Sequence, residues 1–220
     1  MPTRRQIKRD SSVLILVDIQ PDFLPGGALA VPDGDAILRP VRKLMESRTL
    51  PFMVATQDWH PPNHVSFASQ HEGRAPFETI DYYGHEQILW PDHCVQNTPG
   101  AELHPDLPWV HAAAIFREAM RPDTDSYSGF RNNWDPQGKR PSNGLAGYLH
   151  ERETQTVVVC GLARDVCVLW TALDAAESGF VTFFLWDLTR PVDPAHDDDT
   201  SRQLADAGVR VIHSSELNPG

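Results

Sequence analysis

The stretch Thr156-Val-Val-Val-Cys160-Gly-Leu-Ala-Arg-Asp165-Val-Cys167 decides the fold. Val157–Cys160 is an unbroken β-prone apolar run, the pattern of a short strand buried on both faces in a parallel sheet. Gly161 ends the run, and Asp165 to Ser178 then reads as a helix. Strand, tight turn and helix make half of a βαβ unit.

The same alternation extends outward in both directions. Upstream, Val13–Val17 reads as a strand. Asp33 to Arg48 reads as a helix, with Ile37, Val41, Leu44 and Met45 at helical spacing. Pro51 to Thr56 and Val110 to Phe116 read as strands, and Ser142 as the N-cap of a helix through Glu153. Downstream, Val181–Trp186 is a strand, Asp197–Ala207 a helix and Val209–His213 a strand. The pattern predicts an α/β fold: a doubly wound, mostly parallel six-stranded sheet with helices on both faces. One domain spanning residues 1–220 is expected, with residues 1–11 as a flexible N-terminal arm. Residues 58 to about 108 show no strong periodicity, and a stretch that long is expected to carry function. In such sheets ligands bind beyond the carboxyl ends of the strands. Asp18, Asp58, Glu118 and the Gly161–Cys167 turn all fall there.

A formal net charge of -11 argues against nucleic acid and against anionic membrane surfaces as partners. The basic cluster Arg4, Arg5, Lys8 and Arg9 is short and reads as part of a solvated arm. Val13–Val17 is too short to span a bilayer and lacks the features of a signal peptide. Three widely spaced cysteines do not form a disulfide framework, so reduced thiols and a cytoplasmic location are expected.

Cys167 sits in the first turn of its helix, where free N–H groups and the helix dipole favour a thiolate and offer donors to an oxyanion. A small cysteine packing the helix onto the sheet is the alternative. Cys160, inside the strand, reads as core. Asp18 ends a buried strand and could take a proton from a nucleophile or simply order a turn. Asp58-x-His60 projects two metal-capable side chains to one side of an extended segment, and His64, Ser66, His71, His85 and His93 follow. A polar surface loop with histidines close in sequence would look the same.

Together these segments resemble the nicotinamidase/pyrazinamidase family of isochorismatase-like cysteine hydrolases. The matching stretches are VDIQPDF (17–23), TQDWHPPNHVSF (56–67), LWPDHCVQNTPGAELH (89–104), DSYSGF (125–130) and GLARDVCVLWTALDA (161–175). They run in order over nearly the whole chain. The resemblance implies that Asp18 is the general base and Cys167 the nucleophile, with the backbone N–H groups of Ala163 and Cys167 forming an oxyanion hole. It implies a cis peptide at Leu162–Ala163. It implies one divalent metal, zinc first and iron or manganese as alternatives, on Asp58, His60 and His93. His64 and Ser66 match positions that bind metal in some relatives only. Phe23, Trp90 and Tyr127 would line a slot for a flat pyridine ring. The implied reaction is hydrolysis of nicotinamide to nicotinate and ammonia through a cysteine thioester, a step of NAD salvage. The expected partner is a small carboxamide, and a homo-oligomer is compatible with the family, its stoichiometry open.

One position departs from that pattern. The family carries a lysine at the end of the third strand, and counting back from DSYSGF without a gap puts Glu118 there. A glutamate disfavours both the Asp18 carboxylate and the Cys167 thiolate. Arg117 would face the other way on a regular strand, unless a bulge shifted the register. Two further readings stay open: a related amidase for another small carboxamide, because Phe23 and Trp90 favour a flat ring without choosing which one, and, on account of Glu118, a weakened homologue that binds nicotinamide or metal.

Overall fold

In the computed structural model, which describes residues 7–217, the apolar runs at 12–17 and 156–162 lie side by side. They are β1 (Ser12–Val17) and β6 (Thr156–Leu162), and every residue of both is buried. With β2 (Met53–Asp58), β5 (Ala114–Glu118), β7 (Val181–Arg190) and β8 (Arg210–Ile212) they form one parallel sheet in the order β5-β2-β1-β6-β7-β8. The chain winds from β1 through β2 to the β5 edge, returns to β6 beside β1, and winds to the β8 edge. Strand order thus reverses between β1 and β6, and a crevice opens beyond their carboxyl ends.

The period-two alternation of β1 divides the core. Leu14 and Leu16 face Val41, Leu44 and Met45 of α1 (Leu38–Ser47). Val13, Ile15 and Val17 face the opposite layer, built from α2 (Leu145–His150), α3 (Cys167–Glu177) and α4 (Asp197–Asp206). Helices therefore cover both faces, as the sequence predicts.

Several boundaries differ, each for a physical reason. The α-helix expected from Asp33 begins at Leu38, after a 3-10 turn at Gly34–Ile37. Pro40 lacks an N–H and fits only the first turn of an α-helix. Ser142 is not the N-cap of α2. Gly144 takes that place with φ 89°, and its N–H donates to Ser142 Oγ at 3.0 Å. Val110 lies in a 3-10 turn, exposed, ahead of β5. The segment expected to be irregular holds a hairpin, β3 (Thr79–Tyr82) and β4 (His85–Ile88). Its Tyr83-Gly84 turn has positive φ at both residues, as tight hairpins require. The flexible arm does not reach residue 11, because Ile7 is buried in the core and Arg9–Ser11 forms a 3-10 turn. Its first six residues lie outside the described ones. No helix of the described residues is long and apolar enough to cross a membrane.

Candidate active site

Two tight strand ends bring the site together. Gly161 has φ 128°, and a Cβ there would run into the backbone of Val17, its partner on β1. Only glycine allows β1 and β6 to close at this level. Asp18 follows directly, itself left-handed at φ 47° and fully buried. Thr56 Oγ1 of β2 donates to Asp18 Oδ1 at 2.6 Å. Gln20 ties the same loop to β2: its Nε2 donates to the Asp58 and Ala101 carbonyls, each at 2.8 Å, and its Oε1 accepts the Asp58 N–H at 2.8 Å. Across the crevice, β6 runs into a turn with a cis Leu162–Ala163 peptide, and Cys167 is the first residue of α3. Its N–H is one of the four that a helix leaves without an internal partner.

Cys167 and Ala163 form one wall of a cavity. Phe23, Trp90 and Tyr127, expected from the sequence, line it too, and so do Leu29, Val166 and Val192, which carried no sequence signal. Trp90 and Tyr127 stand edge-to-face at 6.1 Å rather than parallel. The Tyr127 hydroxyl accepts from Trp90 Nε1 at 3.1 Å and from Gln87 Nε2 at 3.0 Å, which fixes both rings.

At the floor of the cavity His60 Nε2 and His93 Nε2 converge on one oxygen, Asp58 Oδ2, at 2.9 and 3.3 Å. Burial alone would raise the Asp58 carboxyl, but the two imidazoles outweigh it and hold it below its usual range. Asp58 Oδ1 and His60 Nδ1 are buried with no protein partner. Carboxylate oxygen plus imidazole nitrogen is the donor set that zinc and other first-row divalent ions take. The three residues fit such an ion. His64 and Asp125 form a second set with the shared His60, their ligand atoms within 4.8 Å of one another. His64 Nδ1 already faces Ser66 Oγ at 2.7 Å, and burial lowers His64 to about 4, so its ring is a neutral donor. Asp125 was not singled out from the sequence.

Glu118 lies in this same cluster. The β2–β5 register is regular from Val54↔Ala114 to Asp58↔Glu118, so no bulge rotates Arg117 into its place. Arg117 instead lies on Gln57 and over the Trp59 ring, 4.0 Å from its centre. Glu118 Oε2 accepts from Ser126 Oγ at 3.1 Å, and its carboxyl is within hydrogen-bonding range of Asp18. Among the described residues neither acid has a lysine or arginine partner, whereas the buried Asp174 takes the Arg140 fork at 2.7 and 2.8 Å. Burial and the neighbouring carboxyls push Glu118 well up, and burial followed by the Asp58 charge raises Asp18 to about 7. Two like charges in one buried cluster do not both ionise freely, so the pair shares one proton. Burial and the charges of Asp18 and Glu118 also push the Cys167 thiol well up.

The profile of the isochorismatase domain matches residues 12–216. The chain belongs to the isochorismatase family. Within it, a nicotinamidase of Acinetobacter baylyi is 43% identical over 189 residues, 86% of each chain. PnC1 from L. infantum, solved in complex with nicotinate, superposes with a TM-score of 0.82 at 39% identity over 96% of each chain. A pyrazinamidase of Pyrococcus horikoshii, solved in complex with zinc, gives 0.74 at 36% identity over 92% of this chain and 100% of that one. Isochorismatase-family membership thus agrees with the sheet order and with the crevice between β1 and β6.

Proposed function

We propose that this protein hydrolyses nicotinamide to nicotinate and ammonia, with Cys167 as nucleophile and Asp18 as general base. The observation that carries this reading is the buried Cys167 thiol in one cluster with the Asp18 carboxyl, whose charge helps to push it up, beside a cavity lined by Phe23, Trp90 and Tyr127. The nicotinamidase relatives and the nicotinate held by the L. infantum protein support the choice of substrate.

In the first half-reaction Asp18 takes the Cys167 proton, and the sulfur attacks the carboxamide carbon. The Ala163 and Cys167 N–H groups meet the oxyanion. The C–N bond breaks, and ammonia leaves with the proton returned by Asp18. In the second, water gives a proton to Asp18 as its oxygen adds to the thioester carbon. The C–S bond then breaks, and the thiolate recovers the proton. Asp58, His60 and His93 would hold a divalent ion, zinc by the Pyrococcus precedent, which supplies a Lewis-acid contact that orients the ring.

Glu118 slows this chemistry. Asp18 must lose a proton beside a second carboxyl, and among the described residues no lysine or arginine pairs with Asp18 or Glu118 to offset it. That same feature favours a second reading, a homologue that binds nicotinamide with little turnover. Three unpaired buried thiols suit a reducing compartment, and the cytoplasm is the proposed location. The test follows ammonia release from nicotinamide by the metal-loaded protein and by Cys167→Ala. Turnover lost in the variant supports the amidase; tight nicotinamide binding without ammonia in the parent supports the second reading.

A further inference from the structure

The turn that carries Ala163 also carries two charged side chains that face away from the cavity. Asp165 reaches the segment after β7, and Arg164 reaches the end of β7 itself and Asp197 beyond it. Asp165 Oδ1 accepts the Val192 N–H at 2.7 Å, and Oδ2 accepts the Asp193 N–H at 3.0 Å and lies 3.1 Å from His196 Nδ1. Arg164 Nε donates to Thr189 Oγ1 at 2.9 Å, and its Nη2 donates to the Thr189 and Trp186 carbonyls at 3.0 and 3.3 Å. Its Nη1 meets both Asp197 oxygens at 2.8 and 2.7 Å, and the guanidinium lies 4.0 Å from the Trp186 ring centre. The Arg164 N–H donates to the Arg190 carbonyl at 2.8 Å.

These bonds are charge-assisted, the strong kind; those of Arg164 are buried or part-buried, the Asp165–Val192 bond is part-buried, and the Asp165 bonds to Asp193 and His196 are exposed. They join two things that otherwise belong to different loops: the Ala163–Cys167 turn and Val192, a residue of the cavity wall. The position of Val192 follows from its N–H on Asp165 and from partial packing against the core.

We propose that Asp165, braced by Arg164, is a positioning residue that sets the Val192 wall against the Cys167 turn and so limits what reaches the thiol. Asparagine at 165 keeps one acceptor and loses the second, and alanine loses both. Release of the wall therefore grows from Asp165→Asn to Asp165→Ala.

The test needs no turnover. Alkylation of Cys167, read by peptide mapping to separate it from Cys94 and Cys160, is timed with a small reagent, iodoacetamide, and a bulky one, N-phenylmaleimide. The bulky-to-small rate ratio is expected to rise about tenfold in Asp165→Ala, the scale of one or two lost backbone hydrogen bonds, and less in Asp165→Asn. Val192→Ala should raise it similarly, and the double variant no further, because both act through one wall. A ratio unchanged in folded Asp165→Ala, or one that multiplies in the double variant, overturns the proposal. Nicotinamide kinetics add a second readout that rests on the proposed amidase function: KM rises in the order parent, Asn, Ala while kcat per alkylatable site holds. A parent inert on nicotinamide counts against that function and leaves the alkylation result standing on its own.

Discussion

Glu118 and Asp18, from strands that flank β2, place two carboxyl groups within hydrogen-bonding range in a fully buried cluster. Each has one oxygen tied to a hydroxyl, Ser126 for Glu118 and Thr56 for Asp18, and one oxygen with no other protein partner. The pair shares one proton rather than ionising twice. That proton has to be dealt with before Asp18 can act as a base.

Replacing Glu118 with lysine removes one carboxyl and adds a cation where the thiolate and the Asp18 carboxylate need it. Turnover of nicotinamide in Glu118→Lys is expected to exceed that of the parent by roughly two orders of magnitude, if the charge change contributes about 3 kcal/mol to the transition state. Steady-state ammonia release from both proteins is the check, and equal rates would remove Glu118 as the limiting feature.

The pH dependence follows from the same pair. The base form of Asp18 exists above its raised value of about 7, so turnover should climb through that pH and keep its gain above it. In Glu118→Lys the midpoint should move down, because a neighbouring cation favours the carboxylate. Stability runs the other way. A carboxyl raised in the fold binds its proton more tightly than in the unfolded chain, so its contribution is complete below about pH 4 and is lost as pH rises toward about 7. Denaturant midpoints of the parent and Glu118→Gln across this window should converge at its acid end.

Gly161 is required by space as well as by φ. Gly161→Ala would push a methyl into the Val17 backbone and separate β1 from β6 at the level of Asp18. A loss of about 3 kcal/mol or more in unfolding free energy is expected, with activity falling further than the folded fraction. Unfolding curves and activity normalised to folded protein measure the two separately.

Asp58→Ala and His93→Ala should each lower bound metal well below one per chain and raise KM for nicotinamide more than they lower kcat, because the ion is assigned to orientation. Metal analysis of purified protein provides a readout independent of the assay.

Much of this arrangement was legible in the residues. The unbroken apolar runs at 13–17 and 157–160 fixed strands buried on both faces, and placing them put Asp18 and the Cys167 turn at strand ends. Less legible were contacts made across strands. Thr56 and Gln20 look like ordinary strand and loop residues, and only the β1–β2 register brings them to Asp18 and Asp58. Asp125 reads as a turn residue until the fold sets it beside His64. The β3–β4 hairpin was missed because its strands are short and half-exposed, and its turn uses Tyr83-Gly84 in place of an asparagine-glycine pair. Arg117 marks the opposite case: strand alternation turned it away unless a bulge intervened, and the regular register shows no bulge there.

In the proposed mechanism the Cys167 sulfur carries the acyl group of the substrate. Metal-loaded protein, quenched in acid during turnover of nicotinamide and digested, should yield the Cys167 peptide heavier by one nicotinoyl group, more abundant at early times and absent in Cys167→Ala. Ammonia release with no such adduct at any quench time, or release that persists in Cys167→Ala, would contradict it.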